Sequence, residues 1–451
     1  MARLPAAPAQ PRGAPVDRRC HPAAGRPPRG GAVTRALLRL NRRAFASLRY
    51  RNYRLFFAGQ VVSVTGTWMQ NVATAWLVLE LTGSPVAVGV LALCQFLPFT
   101  ALGLFAGVLV DRADARRLVT ATQAASMVLA SSLAALTLVG LVQPWQVYLV
   151  AALRGSVLVF DAPARQALTY QMVGPKELPN AVALNSSLFN GARVVGPALG
   201  GVVVAVAGPG LCFALNAVSF LAVLAGLAAM RDQDLLSLER GGEPPTLLRG
   251  TWAALGYAWR TPRVPLVLGL VFVSSTFAFN FNVLLPVLAK DTLRSGAAVF
   301  GILTSCFGAG ALAGALLAAV MARASVGTFL LGTGAFGLAE LLLAPERSLP
   351  AAAALLFASG LSFTLWSANA NATLQLEAPD ALRGRIVSLY YYAFNGAQPA
   401  GGMLAGFLAA TGGTALAFGV GGSVTLVACL LALARSEERP RLDLAGLLGR
   451  S

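Results

Sequence analysis

From Leu55 to Leu433 the chain alternates long apolar runs with short polar interruptions. The runs cover roughly 55–79, 86–110, 118–140, 145–165, 180–207, 210–230, 264–288, 297–321, 327–344, 350–374, 385–409 and 414–434. Each is close to the length of about 20 residues that a helix needs to cross a bilayer. The runs are uniformly apolar, whereas strands of an outer-membrane barrel alternate polar and apolar positions. The pattern therefore predicts an all-α membrane protein with twelve transmembrane helices. Residues 231–263 form the longest polar stretch, with Pro244-Pro245 and five arginines. They read as a linker between six helices at 49–230 and six at 264–435, flanked by tails at 1–48 and 436–451.

The two sets of six are related. Thr169, Gln171, Pro175 and Leu178 recur as Thr373, Gln375, Pro379 and Leu382, 204 positions later. Phe189-Asn190-Gly191 recurs as Phe394-Asn395-Gly396, and Gly103, Gly107 and Arg116 recur as Gly310, Gly314 and Arg323. The order is the same in both sets, so the repeat is parallel. Two such six-helix pseudo-repeats about an axis along the membrane normal make a transporter architecture, with the site between them near mid-depth.

Charge refines this picture. Only 12% of residues are charged, about half the proportion usual in soluble domains. Residues 1–54 carry thirteen Arg and one Asp, so the excess of positive charge sits in a basic tail rather than on a folded face. That argues against nucleic acid as a partner and for anionic lipid headgroups. The tail is too rich in Pro, Gly, Ala and Arg to bury a core, so disorder is expected. It lacks the apolar stretch of a secretory signal. Arginines concentrate in alternate loops, which puts both tails in the cytoplasm by the positive-inside rule. His21 is the only histidine and the five cysteines are isolated, so neither a metal site nor a cofactor is expected, and no nucleophile–base pair of an enzyme can be assembled.

The most distinctive interruption is Gly107-Val-Leu-Val-Asp111-Arg112-Ala-Asp114-Ala115-Arg116-Arg117. Its order resembles the loop between spans two and three of the major facilitator superfamily, with Ala115 where many members have Gly. Gly196-Pro197-x-x-Gly200-Gly201 resembles the end of that superfamily's antiporter motif, although an earlier Gly of the motif is Ala192 here. Tyr50 to Phe56, Phe160-Asp161-x-Pro163-Ala164-Arg165-Gln166 and Asn180-Ala181-x-x-Leu184-Asn185 are similar to its bacterial efflux branch, which includes the enterobactin exporter. The resemblance runs from about Arg49 to Arg435. It implies a cytoplasmic gate at Gly107, Asp111, Arg112, Arg116 and Arg117, with Asp111 meeting the start of span eleven. The second-set copy has Ala318 and Ala319 in place of Asp111 and Arg112, so the gate would be one-sided. Protons as the coupling ion come from the resemblance alone.

Charge in a bilayer interior is costly, so Arg154 and Arg193, near mid-depth of spans four and five, are candidates to attract an anionic or carbonyl-rich group. Bracing against carbonyls or carboxylates is the alternative. Asp161 and Arg165 stand four apart, at helical contact spacing, and fit an inner-gate ion pair. Glu340 in span nine either snorkels or binds a proton. Trp68, Gln70, Asn71, Asn280, Asn282, Trp366, Asn369, Asn395 and Gln398 complete the substrate and coupling candidates, with interhelical hydrogen bonding as the competing role. Gly196, Pro197, Gly200 and Gly201 are expected to pack helices closely. The reading that follows is a monomeric proton-coupled exporter of a small amphipathic compound (a drug, siderophore or secondary metabolite) in a bacterial cytoplasmic membrane. Uptake of an anionic small molecule and a non-transporting membrane sensor are the alternatives.

Overall fold

The structure, a computed structural model, describes residues 45–236, 247–320, 325–380 and 382–435; the side chains of 104–109, 111–112 and 247–253 lie outside that description. Most of the basic tail, the middle of the linker, Arg323 and residues 436–451 are therefore outside it, as are the side chains of Gly107, Asp111 and Arg112.

Described residues are helical, with no strand among them. Helix α1 is Arg51–Thr82 and ends where Gly83 adopts φ 61° and returns its N–H to Leu79, a left-handed cap that suits glycine. Helix α2, Pro85–Arg112, starts on a proline, which has no N–H to leave unpaired at a helix start. Helix α3, Ala115–Leu138, is capped by the Asp114 carboxylate on the Arg117 N–H. Helix α4, Pro144–Ala228, is continuous only in name: Gly174 (φ 72°) and Gly208 (φ 78°) divide it into limbs 144–173, 175–207 and 209–228. Each glycine precedes a proline, Pro175 or Pro209. The proline cannot donate back into the turn before it, so one limb ends and the next begins.

A 3-10 turn at Asp232–Asp234 and helix α5, Leu247–Arg260, occupy parts of the expected linker. Helix α6 is Arg263–Phe277 and α7 is Phe281–Val287, which runs into a π-helical turn at Leu288–Thr292. The span expected at 264–288 is thus broken at residues 278–280. Helices α8 (Ala297–Val320), α9 (Val326–Leu343) and α10 (Leu349–Glu377) follow. The last are α11 (Arg383–Asn395) and α12 (Gln398–Arg435), with α12 interrupted by Gly413 at φ 68°.

Eight described stretches are long and apolar enough to cross a membrane. Two of them, Pro144–Ala228 and Arg383–Arg435, contain the glycine interruptions. Helix α1 is outside this set although it has 32 residues, because Gln60, Gln70 and Asn71 reduce its hydropathy.

Helices on either side of the linker meet through small residues. A Cβ on Gly201 would lie 2.8 Å from the Cα of Gly301, and the reverse is equally close. Gly89 meets the Gly402 carbonyl at 2.7 Å, and Gly406 meets the Pro85 carbonyl at 2.8 Å, measured from the same vacant position. So limb 175–207 packs on α8 and α2 packs on α12. Glycine at these points lets backbones approach to a distance no side chain permits. Nearby, Trp76 stacks on Phe300 at 6.2 Å and the Lys290 ammonium donates to the Leu79 carbonyl at 2.9 Å.

Candidate functional site

Four sequence candidates meet in two pairs on α1, and one pair reaches the second group of helices. Trp68 and Asn71 stand one turn apart on α1 and share a face. The Arg154 guanidinium, from limb 144–173, donates to Asn71 Oδ1 at 2.5 Å. The Arg193 guanidinium, from limb 175–207, lies 5.6 Å from the Trp68 ring, 5.1 Å from Phe307 and 5.3 Å from Phe363. These distances fall within cation–π range. Phe307 belongs to α8 and Phe363 to α10, so this guanidinium joins both groups. Pro197 explains part of the geometry. It has no N–H to offer the Arg193 carbonyl four residues earlier. That carbonyl lies 2.6 Å from the vacant Cβ position of Gly308, and Ser305 Oγ donates to the adjacent Val194 carbonyl at 2.7 Å.

An aromatic cluster continues from the cage. Phe279 stacks on Phe363 with centroids 4.4 Å apart and contacts Phe394 at 5.2 Å. Trp366 packs edge-on against Phe363 at 5.6 Å, and its indole N–H is buried without a partner. Phe279 reaches this position because the helix is broken at 278–280. Gln398 compensates for the break: its side-chain amide donates to the carbonyls of Ser275 (3.4 Å) and Phe279 (3.3 Å). Asn280 Nδ2 donates to the Thr276 carbonyl at 2.8 Å, while its Oδ1 is buried and unpartnered. The four rings of Phe279, Phe307, Phe363 and Phe394 were not singled out in the sequence as site residues. Phenylalanine is too common in apolar runs to mark a site before the helices are assembled.

Glu340 sits on the far side of the same break. It is 1% exposed, and neither carboxyl oxygen has a hydrogen-bond partner. Its Oε2 and the Phe277 carbonyl lie 3.0 and 2.5 Å from the vacant Cβ position of Gly421 on α12. Both oxygens therefore face one small space at the end of α6, where helix carbonyls have no partner of their own. Glu340 is thus enclosed by α6, α9 and α12.

Other candidates are turned elsewhere. Gln70 is buried against limb 209–228, where Asn216 Nδ2 donates to its Oε1. It faces away from Asn71 because neighbouring helix positions point about 100° apart. Asn369 and Asn395 donate to carbonyls of their own helices, Leu365 and Tyr391. Asn282 is exposed. These four do not join the central group.

The described side chains of the charged loop, Asp114, Arg116 and Arg117, contact the first group of helices. Arg116 is ion-paired with Asp232 and donates to the Leu227 carbonyl at 2.6 Å. A cation at that helix end is favoured by the helix dipole. Arg117 is exposed, and with Asp114, Arg116, Thr120, Gln171 and Asp232 it lines a cavity of about 650 Å³. Asp161 is 3% exposed and saturated: Thr122 Oγ1 (2.6 Å) and Gln123 Nε2 (2.9 Å) donate to one oxygen, and Arg165 pairs with the other at 2.6 Å. Arg165 also donates to Gln60 at 3.0 Å. The pair forms as its spacing predicts, and its described partners tie α1, α3 and limb 144–173 together. The sequence motifs at 50–56 and 180–185 also meet: Tyr53 donates to Asn185 Oδ1 and to the Ala181 carbonyl, both at 3.0 Å.

The glycine motif works on two faces. Vacant Cβ positions of Gly196 and Gly200 lie 2.5 Å from Trp68 Cβ and 2.9 Å from Met69 Cα on α1. Gly201 instead faces Gly301 across the two groups, and the Pro197 carbonyl lies 2.5 Å from the vacant position of Gly301.

Comparison with known proteins agrees with this architecture. The model of a family described as transmembrane secretion effector matches residues 42–444. The staphyloferrin A transporter of Staphylococcus aureus is 26% identical over 380 residues, covering 82% of this chain and 93% of its own. The multidrug efflux pump Tap of Mycolicibacterium fortuitum is 28% identical over 357 residues, covering 77% and 87%. Macrolide efflux protein A of Streptococcus pyogenes is 25% identical over 417 residues, covering 88% and 99%. Among solved structures, a peptide transporter of the POT type bound to alafosfalin superposes with a TM-score of 0.68 at 16% identity, covering 85% of this chain and 93% of that one. The nucleoside transporter NupG gives 0.66 at 13% identity, covering 87% and 100%. These two likenesses concern the fold alone. With the fold, the shared centre and the match over most of its length, the chain belongs to the transmembrane secretion effector family of the major facilitator superfamily, in its efflux branch, and is a multi-pass membrane transporter rather than an enzyme.

Proposed function

We infer that this protein is a secondary active exporter of a small amphipathic compound, a drug, siderophore or secondary metabolite. It works by proton antiport and alternating access as a monomer in a bacterial cytoplasmic membrane. In this reading twelve helices span the membrane, counting α1 and the segments made by the glycine interruptions, and both tails are cytoplasmic. The observation that carries the reading is the mixed aromatic and cationic centre of Trp68, Arg193, Phe307 and Phe363, drawn from both groups of helices. A mostly apolar pocket with a few polar anchors suits an amphipathic ligand. Relatives named for siderophore, multidrug and macrolide transport support small-molecule export.

Residues 49–230 and 264–435 would rock about this centre. The Asp111–Arg117 loop would close the cytoplasmic side, with Asp161–Arg165 stiffening the helices that carry it. Glu340 is the carboxyl we assign to the proton. A bound proton gives it a donor toward the Phe277 carbonyl, and losing that proton would alter the break that positions Phe279. The proton-motive force suffices as a source, at about 2.3 kcal/mol per charge per 100 mV.

The test is efflux from cells and inside-out vesicles, with and without a collapsed proton gradient. Accumulation in energised inside-out vesicles that stops on collapse supports the reading. Unchanged movement removes the coupling, and movement only in right-side-out vesicles reverses the direction. Replacing Asp111 with Ala should impair transport while leaving insertion intact; full activity would remove the latch.

A further inference from the structure

Arg154 and Arg193 come from different limbs of α4 and end one helical turn apart on α1, at Asn71 and Trp68. Residues three apart on a helix are neighbours about 5–6 Å apart at Cβ. Two guanidiniums thus contact neighbouring side chains on one face of α1 inside a transporter. A guanidinium offers five N–H donors. Arg154 uses a single hydrogen bond, to Asn71, and Arg193 makes no hydrogen bond or ion pair among the described residues. Among the described residues, three carboxylates in the spans are committed away from them. Glu80 accepts the Trp76 indole N–H at 2.6 Å, Asp161 is held by Thr122, Gln123 and Arg165, and Glu340 lies against Gly421 and Phe277.

Two unpaired cations in low dielectric repel each other and lose hydration. Cation–π contact offsets only part of that cost. An anion between them would satisfy the free donors, and charge-assisted hydrogen bonds to guanidinium are the strong ones. With the Arg193 guanidinium drawn off these rings toward the anion, the faces of Trp68 and Phe307, and the face of Phe363 that Phe279 leaves uncovered, would take a flat apolar body.

We propose that the central site recognises organic anions, with a carboxylate or sulfonate held between Arg154 and Arg193 and an aromatic body against the Trp68–Phe307–Phe363 cage. The site excludes lipophilic cations by the same two charges. This assignment rests on the exporter reading for the statement that the anion is cargo; the anion site stands or falls by itself.

The test is equilibrium binding to the full chain in phosphatidylcholine nanodiscs. The probes are radiolabelled 2-naphthoate and 2-naphthylmethylammonium, which share a ring system and differ in charge. The expected result is binding of naphthoate and none of the ammonium compound. Arg154→Gln/Arg193→Gln should weaken naphthoate binding by at least about tenfold. Arg154→Lys/Arg193→Lys, which keeps both charges and serves as the folding control, should retain part of it. Binding of the ammonium probe, or naphthoate binding unchanged in the Gln variant, overturns the proposal. Loss of naphthoate binding when phosphatidylglycerol replaces phosphatidylcholine would give the site to a lipid headgroup and overturn it as a substrate site. Counterflow in proteoliposomes separates the two readings. Naphthoate bound but never moved removes the exporter and keeps the site, whereas a cation exported without naphthoate binding removes the site and keeps the exporter.

Discussion

Gly201 and Gly301 stand back to back, each leaving the other's Cα only 2.8 Å from where a Cβ would be. The neighbouring atoms are backbone, the Ala297 carbonyl at 2.7 Å and the Pro197 carbonyl at 2.5 Å, so no side chain can swing aside. Even alanine must separate limb 175–207 from α8. Overpacking of this kind costs about 1–3 kcal/mol. Gly301→Val is therefore expected to lower the melting temperature in detergent and to slow transport. Gly191→Ala, with nothing within 4 Å of its Cβ position, should leave the melting temperature unchanged. Differential scanning fluorimetry of the two variants checks the contrast.

Asp161 is a saturated carboxylate rather than a free one. Asp161→Ala removes the shared acceptor of Arg165, Thr122 and Gln123. Arg165 keeps Gln60 and Thr122 keeps the Val119 carbonyl, so the loss should fall at or below about 3–5 kcal/mol, the cost of breaking a buried pair. Arg165→Gln should cost less, because Thr122 and Gln123 still donate to Asp161. In a double-mutant cycle read by urea unfolding, the double variant should be milder than the sum of the single ones. Strict additivity would mean that the two side chains do not interact.

Arg116 tests how the charged loop is built. Its contacts to the Leu227 carbonyl and Asp232 predict that Arg116→Ala lowers stability by about 1–2 kcal/mol, through a lost charge-assisted bond at a helix end. Asp232 is largely exposed, so Asp232→Asn should cost under about 1 kcal/mol. Thermal unfolding of both variants at low and high salt measures the difference. The exposed Asp232 contribution should fade most with salt, and the hydrogen bond of the largely buried Arg116 to the Leu227 carbonyl least.

Glu340 separates charge from shape. Glu340→Gln keeps the volume and supplies an N–H toward the Phe277 carbonyl, so the fold should survive. Transport in that variant should no longer respond to an imposed pH gradient, while exchange of substrate across the membrane at equal pH continues. Retained gradient dependence in Glu340→Gln would move the proton to another group.

Much of the fold was legible in the hydropathy pattern. Apolar runs became helices because a chain in lipid must satisfy its backbone internally, although the run read at 145–165 continues to residue 173 and the one read from 180 begins at 175, on either side of Gly174. The break at 278–280 was not legible: residues 264–288 read as one apolar run, and the polar Gln398 that meets the freed carbonyls lies more than a hundred positions away. The glycine motif was visible, but not its division into Gly196 and Gly200 for α1 and Gly201 for α8. The partners Gln60, Thr122 and Gln123 of the Asp161–Arg165 pair passed unnoticed, because single polar residues in apolar helices are indistinguishable until the helices are adjacent.

The sequence by itself determined the helical membrane class, the internal repeat, the charged loop and the scarcity of charge that made Arg154, Arg193 and Glu340 conspicuous. These depend on local composition and on the cost of burying charge, which a single segment reveals. Tertiary structure alone decided that Gln70 turns to Asn216 while Asn71 turns to Arg154, and that Phe307 and Phe363 close over Arg193 from the other group of helices. Those facts depend on which faces of distant helices meet, and each residue's periodicity is compatible with several partners until packing selects one.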